Sequence, residues 1–171
     1  MVGIKWKSPI YKPTCKRPFV PHEKEIDALI AGCGKKVATS LQLLKETGMR
    51  SGETWNLEWT DIDIENLTVN CTPEKHGNPR QFKVSGTLMA MLNTLPKTGT
   101  KVFGNTSLIA YRNNFTHQRK RISQKLQNPR ILKISFHTLR HWKATTEYHK
   151  TKDILHVKEM LGHRRISSTL I

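Results

Sequence analysis

The sequence predicts an α+β fold that is mostly helical, with one small antiparallel sheet. Three observations predict it. Apolar residues recur at helical spacing through most of the chain, one stretch near residues 62–85 switches to strand-like alternation around turn residues, and no internal repeat or low-complexity tract interrupts this order. At 171 residues the chain is long enough for one domain with a sizeable core and too short for two comfortable ones.

Residues 1–20 carry Gly3, Pro9, Pro13 and Pro18 among five Lys or Arg, with no helical period, and read as a basic linker or arm. Pro21 suits a helix start. From there to Gly48 the pattern is helical. Ile26, Leu29 and Ile30 mark one apolar face, Val37, Leu41 and Leu44 mark another, and Gly48 stands where a C-terminal cap belongs. Ser51 is expected to cap a short helix through Leu57, with Glu53 in its first turn. Asp63 to Asn66 reads as a turn, and Leu67 to Thr72 alternates as a half-buried strand does. Lys75 to Pro79 supplies turn chemistry, and Gln81 to Ser85 returns as a second strand, which puts Lys75 near a hairpin tip. Leu88, Met91, Leu92 and Leu95 fit an amphipathic helix. Further helices are expected over Ser107–Gln127, Thr138–His149 and Asp153–Leu161.

The charge balance narrows the function. Lys and Arg number 29 against 13 Asp and Glu, a formal net charge of +16. Between Glu74 and Glu147 there is no acidic residue, and fourteen Lys or Arg fall in that stretch. A solvated surface normally mixes its signs, so a bias of this kind points to a polyanionic partner. Cys15, Cys33 and Cys71 are scattered and form no CxxC pair, which argues against a disulfide framework or a zinc knuckle and fits a reducing compartment. No run of eighteen apolar residues occurs, and the basic N-terminus lacks an apolar signal core. A soluble, cytoplasmic protein is expected.

Four local patterns could carry chemistry. Arg50 follows a helix end and opens the next helix, where its planar fork and a helix N-terminus can both meet a phosphate. Lys75 at a hairpin tip has a flexible stem able to reach into a groove. His137 and Arg140, three apart at a helix start, share one face with Leu139 turned inward. Gly162 ends a helix and presents His163 just beyond it. Each has an ordinary reading when taken alone: a surface arginine, a solubilising lysine, a structural hydrogen-bond pair, and a histidine complementing a helix dipole.

Taken together and in this order, Arg, hairpin Lys, His-x-x-Arg and Leu-Gly-His resemble the tyrosine recombinases of the phage-integrase type. The resemblance runs from about Pro21 to Ile171. It includes the segment Gly48 to Asp63 around the first arginine, Arg80 to Val84 after the hairpin, Phe136 to Thr145, and Met160 to His163. The wording of the hairpin tip resembles archaeal and archaeal-virus members.

The resemblance implies a catalytic domain over 21–171 that recombines DNA at specific sites through a 3′-phosphotyrosine intermediate. It implies Arg50 and Arg140 as the clamp on the phosphate, Lys75 as the general acid for the 5′ oxygen, His137 as an aid to proton transfer, and His163 as a hydrogen-bond partner of the scissile phosphate. Two guanidiniums suit a transition state whose nonbridging oxygens gain charge, because each can bind in a bidentate way. No cofactor is implied. The implied partners are double-stranded DNA and, for a full-length protein, further copies in a synaptic tetramer, in a prokaryotic nucleoid or the host cell of a virus or mobile element.

The resemblance also places the nucleophilic tyrosine at position 172, and the sequence here stops at Ile171. Tyr11, Tyr111 and Tyr148 do not fit the pattern. The usual N-terminal core-binding domain is absent as well, so the chain as given is expected to be an inactive fragment. Two other readings compete. One is a non-catalytic nucleic-acid-binding module on the same fold. The other, a metal-dependent nuclease built on the eight histidines, is weak: His137 and His141 are four apart, but Arg140 between them would repel a cation.

Overall fold

The computed structural model describes residues 18–74, 77–104 and 106–169. Most of the expected basic arm, Cys15 and the hairpin residue Lys75 lie outside the described residues.

Helix α1, Glu23–Gly32, starts after Pro21, and the Glu25 carboxylate returns to the His22 N–H at 2.8 Å, a capping arrangement. Glu25 also accepts from Arg130 Nε at 2.7 Å, tying α1 to a 3-10 turn at Pro129–Lys133. Helix α2, Lys35–Thr47, buries Val37, Leu41 and Leu44 as its period predicts and packs against both α1 and the later helices. It stops at Gly48, whose φ of +67° is a left-handed cap that favours glycine.

The next helix, α3, spans Ser51–Trp55, shorter than the expected run to Leu57. Its N-cap is Arg50 and not Ser51. The Glu53 carboxylate bonds the Arg50 backbone N–H at 2.7 Å, so the acid three residues on fixes the start one position earlier.

Among the described residues the sheet is an antiparallel meander of three strands, β1 (Ile62–Asp63), β2 (Thr68–Cys71) and β3 (Arg80–Lys83), with Val69 opposite both Ile62 and Phe82. Val69 and Cys71 are buried and Asn70 is exposed, the alternation expected of a strand with one covered face. The two-residue β1 is too short to leave a sequence pattern. Helix α4, Gly86–Asn93, is capped by Ser85 and buries Leu88, Met89 and Leu92, while the expected Met91 is only half-buried.

Helix α5 is Leu108–Lys125, α6 is Phe136–Thr151 and α7 is Ile154–Leu161. Helix α6 begins two residues before the expected Thr138, because Ser135 caps it by accepting from Thr138 N at 3.1 Å. Trp55, Tyr111, Phe136 and Phe115 stack in series, locking α3, α5 and α6 into one core. A second, small apolar cluster of Ala144, Val157 and Leu161, with Met160 against it, holds α7 on α6. Among the described residues, no helix is long and apolar enough to cross a membrane.

Candidate active site

The site is built where the α2–α3 junction, the start of α6 and the end of α7 meet. Met49, fully buried, pins the junction after Gly48 and leaves Arg50 facing outward. Arg50 Nη1 stands 2.9 Å from Glu53 Oε1, and its side chain as a whole is 36% exposed. Glu53 Oε1 also pairs with Arg80 Nη2 at 2.8 Å, and its side chain has no exposed surface. Burial alone would raise the Glu53 carboxyl. The Arg50 backbone N–H and the Arg80 guanidinium outweigh it and hold the group below the usual carboxylate range. Glu53 is therefore a fixed anion beneath two arginines.

Arg140 lies in the second turn of α6 and is 5% exposed. Its Nη1 donates to Gly48 O at 2.7 Å and its Nη2 to Leu161 O at 2.7 Å, so it bridges two helix C-termini. Burial first, then the Arg50 charge, lowers its pKa to about 10, which still leaves it cationic at neutral pH. His163 follows Gly162, whose φ of +68° turns the chain back over α7. The His163 Nε2 lies 2.9 Å from Arg140 Nη2 and its Nδ1 lies 3.0 Å from Thr169 Oγ1. Burial and the charges of Arg140, Arg50 and Arg80 push the ring down to about 4, so it is neutral at physiological pH.

His137 opens α6 and meets His141 edge-on, with ring centroids 4.2 Å apart. Burial, then His137 and Arg140, lower the pKa of His141. A cavity of about 350 Å³ is lined by Arg50, His137, Arg140 and His163, joined by Arg112 and Glu74. A second basin of about 400 Å³ shares Arg50, Glu74 and His163 and adds Arg164 and Arg165. The structure thus brings together four of the five residues singled out by sequence. The fifth, Lys75, lies outside the described residues, and its described neighbours Glu74 and Gly77 line the second basin. Cavities walled by guanidiniums over a buried carboxylate can hold an anion while keeping the arginines in register.

A model described as the phage integrase family matches residues 21–171. The chain belongs to that family. It is 30% identical over 141 residues to tyrosine recombinase XerC of Roseiflexus sp. (strain RS-1), covering 77% of this chain and 45% of the relative. It is 25% identical over 171 residues to tyrosine recombinase XerA of Saccharolobus solfataricus, covering 99% of this chain and 57% of the relative. The chain therefore spans about half the length of these relatives. Among solved structures, XerA recombinase superposes with a TM-score of 0.75 at 20% identity, over 92% of this chain and 60% of that one. The bacteriophage HP1 integrase catalytic domain gives 0.67 at 24%, over 90% and 86%. The Tn1549 transposon integrase, solved with transposon right end DNA, gives 0.79 at 14%, over 94% and 62%. These likenesses establish the phage integrase fold.

Several side chains at this phage integrase site were not singled out by sequence. Glu53 had a signal, the capping-box spacing from Arg50, but reads as an ordinary first-turn acid. Arg80 donates to Leu161 O at 2.6 Å and to Cys71 Sγ at 3.0 Å, and nothing local in the sequence announces this. Arg112 reaches across from α5 to Ser51 Oγ at 3.0 Å. Thr169 and Glu74 likewise meet the site only through tertiary packing.

Proposed function

We propose that this chain is the DNA-cleaving domain of a site-specific tyrosine recombinase. The observation that supports it most is the meeting of Arg50, His137, Arg140 and His163 around one cavity, from positions more than a hundred residues apart. Arg140 is preorganised by two backbone carbonyls and Arg50 by Glu53, so neither must be ordered when charge develops on the phosphate.

In the reaction, a tyrosyl oxygen attacks phosphorus and the bond to the 5′ oxygen breaks. The products are a 3′-phosphotyrosine and a free 5′ hydroxyl. Arg50 and Arg140 hold the nonbridging oxygens, Lys75 gives the proton to the departing oxygen, His137 assists proton transfer, and His163 bonds the phosphate. The reverse reaction religates the strand without ATP, because the phosphodiester energy is kept in the covalent link. The resemblance puts the nucleophile at position 172. Duplex DNA is the substrate, Arg112, Arg164 and Arg165 extend the basic surface on either side of the cradle, and full-length copies assemble as a tetramer on paired sites inside the cell that holds the DNA.

The test is covalent attachment. The chain continued through a tyrosine at position 172 and its following segment is incubated with nicked duplex DNA in EDTA. A 3′-linked adduct is expected, and Arg140→Ala should slow its formation at least about a hundredfold. Lys75→Ala should be rescued by a bridging 5′ phosphorothiolate, whose leaving group needs no proton. If the thiolate does not rescue it, Lys83 on β3 becomes the candidate acid. No adduct with any DNA, together with unchanged DNA binding by Arg140→Ala, would favour a binding module on the same fold.

A further inference from the structure

The two ring nitrogens of His163 have partners of different chemistry. Nε2 faces Arg140 Nη2 at 2.9 Å, and a guanidinium can only donate. Nε2 must therefore accept, and a neutral ring with a bare Nε2 carries its proton on Nδ1. That proton points to Thr169 Oγ1 at 3.0 Å, so the threonine hydroxyl is the acceptor. This tautomer is the minority form of a free histidine side chain, and the Arg140 contact selects it.

The arrangement occupies Arg140. Both Nη2 protons are used, one on Leu161 O and one on His163 Nε2, and Nη1 spends a proton on Gly48 O. A phosphate oxygen seeking Nη2 competes with the imidazole. Donation from His163 to that phosphate through Nε2 needs the opposite tautomer from the one selected here. Thr169 is 6% exposed, and its N–H bonds Ile166 O at 2.8 Å across a single 3-10 turn, so its oxygen is held in place while its proton is free to rotate.

We propose that Thr169 is a positioning residue that partners Nδ1 of His163 in either tautomer, so that the ring rests in the Nδ1–H form, with Nε2 standing in on Arg140 for a substrate oxygen, and switches to the Nε2–H form when a phosphate enters. The second half rests on the DNA-phosphate reading above. The ring stays neutral: Nδ1 gives its proton to water and Nε2 takes one from water. The Thr169 hydroxyl turns from acceptor to donor, which a hydroxyl can do and a carboxylate or an alkyl group cannot. His163 thereby passes from blocking Arg140 to assisting it, with no nitrogen left unbonded in either state.

The experiment is nitrogen-15 NMR of the histidine-labelled 171-residue chain, with His163 assigned by the signal lost in His163→Gln. A bare ring nitrogen resonates far downfield of a protonated one, so the tautomer is read directly. The free protein should show Nε2 bare, and so should Thr169→Ser, Thr169→Val and Thr169→Ala, because Arg140 alone requires Nε2 to accept. Adding a short duplex at low salt, with binding followed by anisotropy, should move the proton to Nε2 in the wild type and in Thr169→Ser but not in Thr169→Val or Thr169→Ala, which cannot donate to a bare Nδ1. A free protein with Nδ1 bare overturns the proposal. So does Nε2 still bare in the wild type when duplex is bound, or a switch in the valine and alanine variants as complete as in the wild type. If neither of those variants folds, the free wild-type and serine spectra decide the resting state. Failure of any duplex to bind would count against the recombinase reading and against the switch with it, and the free-protein spectra would still judge the resting tautomer.

Discussion

Arg80 and Arg140, sixty positions apart, donate to the same backbone oxygen, that of Leu161, at 2.6 and 2.7 Å. The end of α7 is thus held from the sheet side and from α6 at one atom. Arg80 also shares Glu53 with Arg50, so it couples all three segments of the site. Arg80→Met removes one cation from a fully buried carboxylate and should destabilise the fold by about 3–5 kcal/mol. In urea unfolding the midpoint should fall while the slope stays constant.

DNA affinity should depend on Arg112 without requiring it for folding. The side chain is exposed, and its hydrogen-bond partner among the described residues is the uncharged Ser51 hydroxyl. Arg112→Gln should reduce the slope of log K against log salt by about 0.9, the value for one phosphate contact. Lys150, ten residues along α6 from Arg140 and so about 15 Å away, serves as the control, and Lys150→Gln should leave the slope unchanged.

Stability should carry a signature of His163 in mild acid. Its folded pKa of about 4 lies below the ordinary histidine value of 6.5, so the folded state resists protonation. The stability this group contributes is present above pH 6.5 and is lost as pH falls toward 4. The stability gap between wild type and His163→Gln should therefore narrow across that window, as followed by thermal melts at several pH values.

Glu74 is an acid inside a basic basin. Its carboxylate packs directly over Gly52, in the space that a side chain at 52 would need, and it lines both cavities. It repels an incoming phosphate. Glu74→Gln should tighten duplex binding several-fold, on the order of 1 kcal/mol, with the gain shrinking at high salt.

The fold was legible wherever a residue's role depends on its near neighbours in sequence. Gly48 and Gly162 mark the ends of α2 and α7 because a left-handed cap is a local demand, and the alternation through Val69 and Cys71 betrays a strand covered on one face. Of the site, the four side chains brought together sit in short motifs with fixed spacing. What sequence could not supply was the wiring between motifs. Ser51 resembles a cap more than Arg50 does, yet the Glu53 carboxylate reaches one residue further back and decides the matter. Arg80, Arg112 and Thr169 acquire their roles from partners 81, 61 and 6 positions away, across packed elements whose approach no local pattern encodes.

The three-residue cluster beneath α7 has a kinetic consequence. Ala144, Val157 and Leu161 form a patch separate from the main core, so detaching α7 exposes little apolar surface and requires no disruption of the aromatic stack. Such a segment opens at a lower free energy than the helices around it. Amide protons of α7 should therefore exchange with deuterium sooner than those of α2. Each opening carries Leu161 O and His163 away from Arg140 together, so the α7 side of the cradle leaves as one unit while Arg50, His137 and Arg140 stay on their own segments. A bound anion that bridges Arg140 and His163 would hold it shut and slow that exchange.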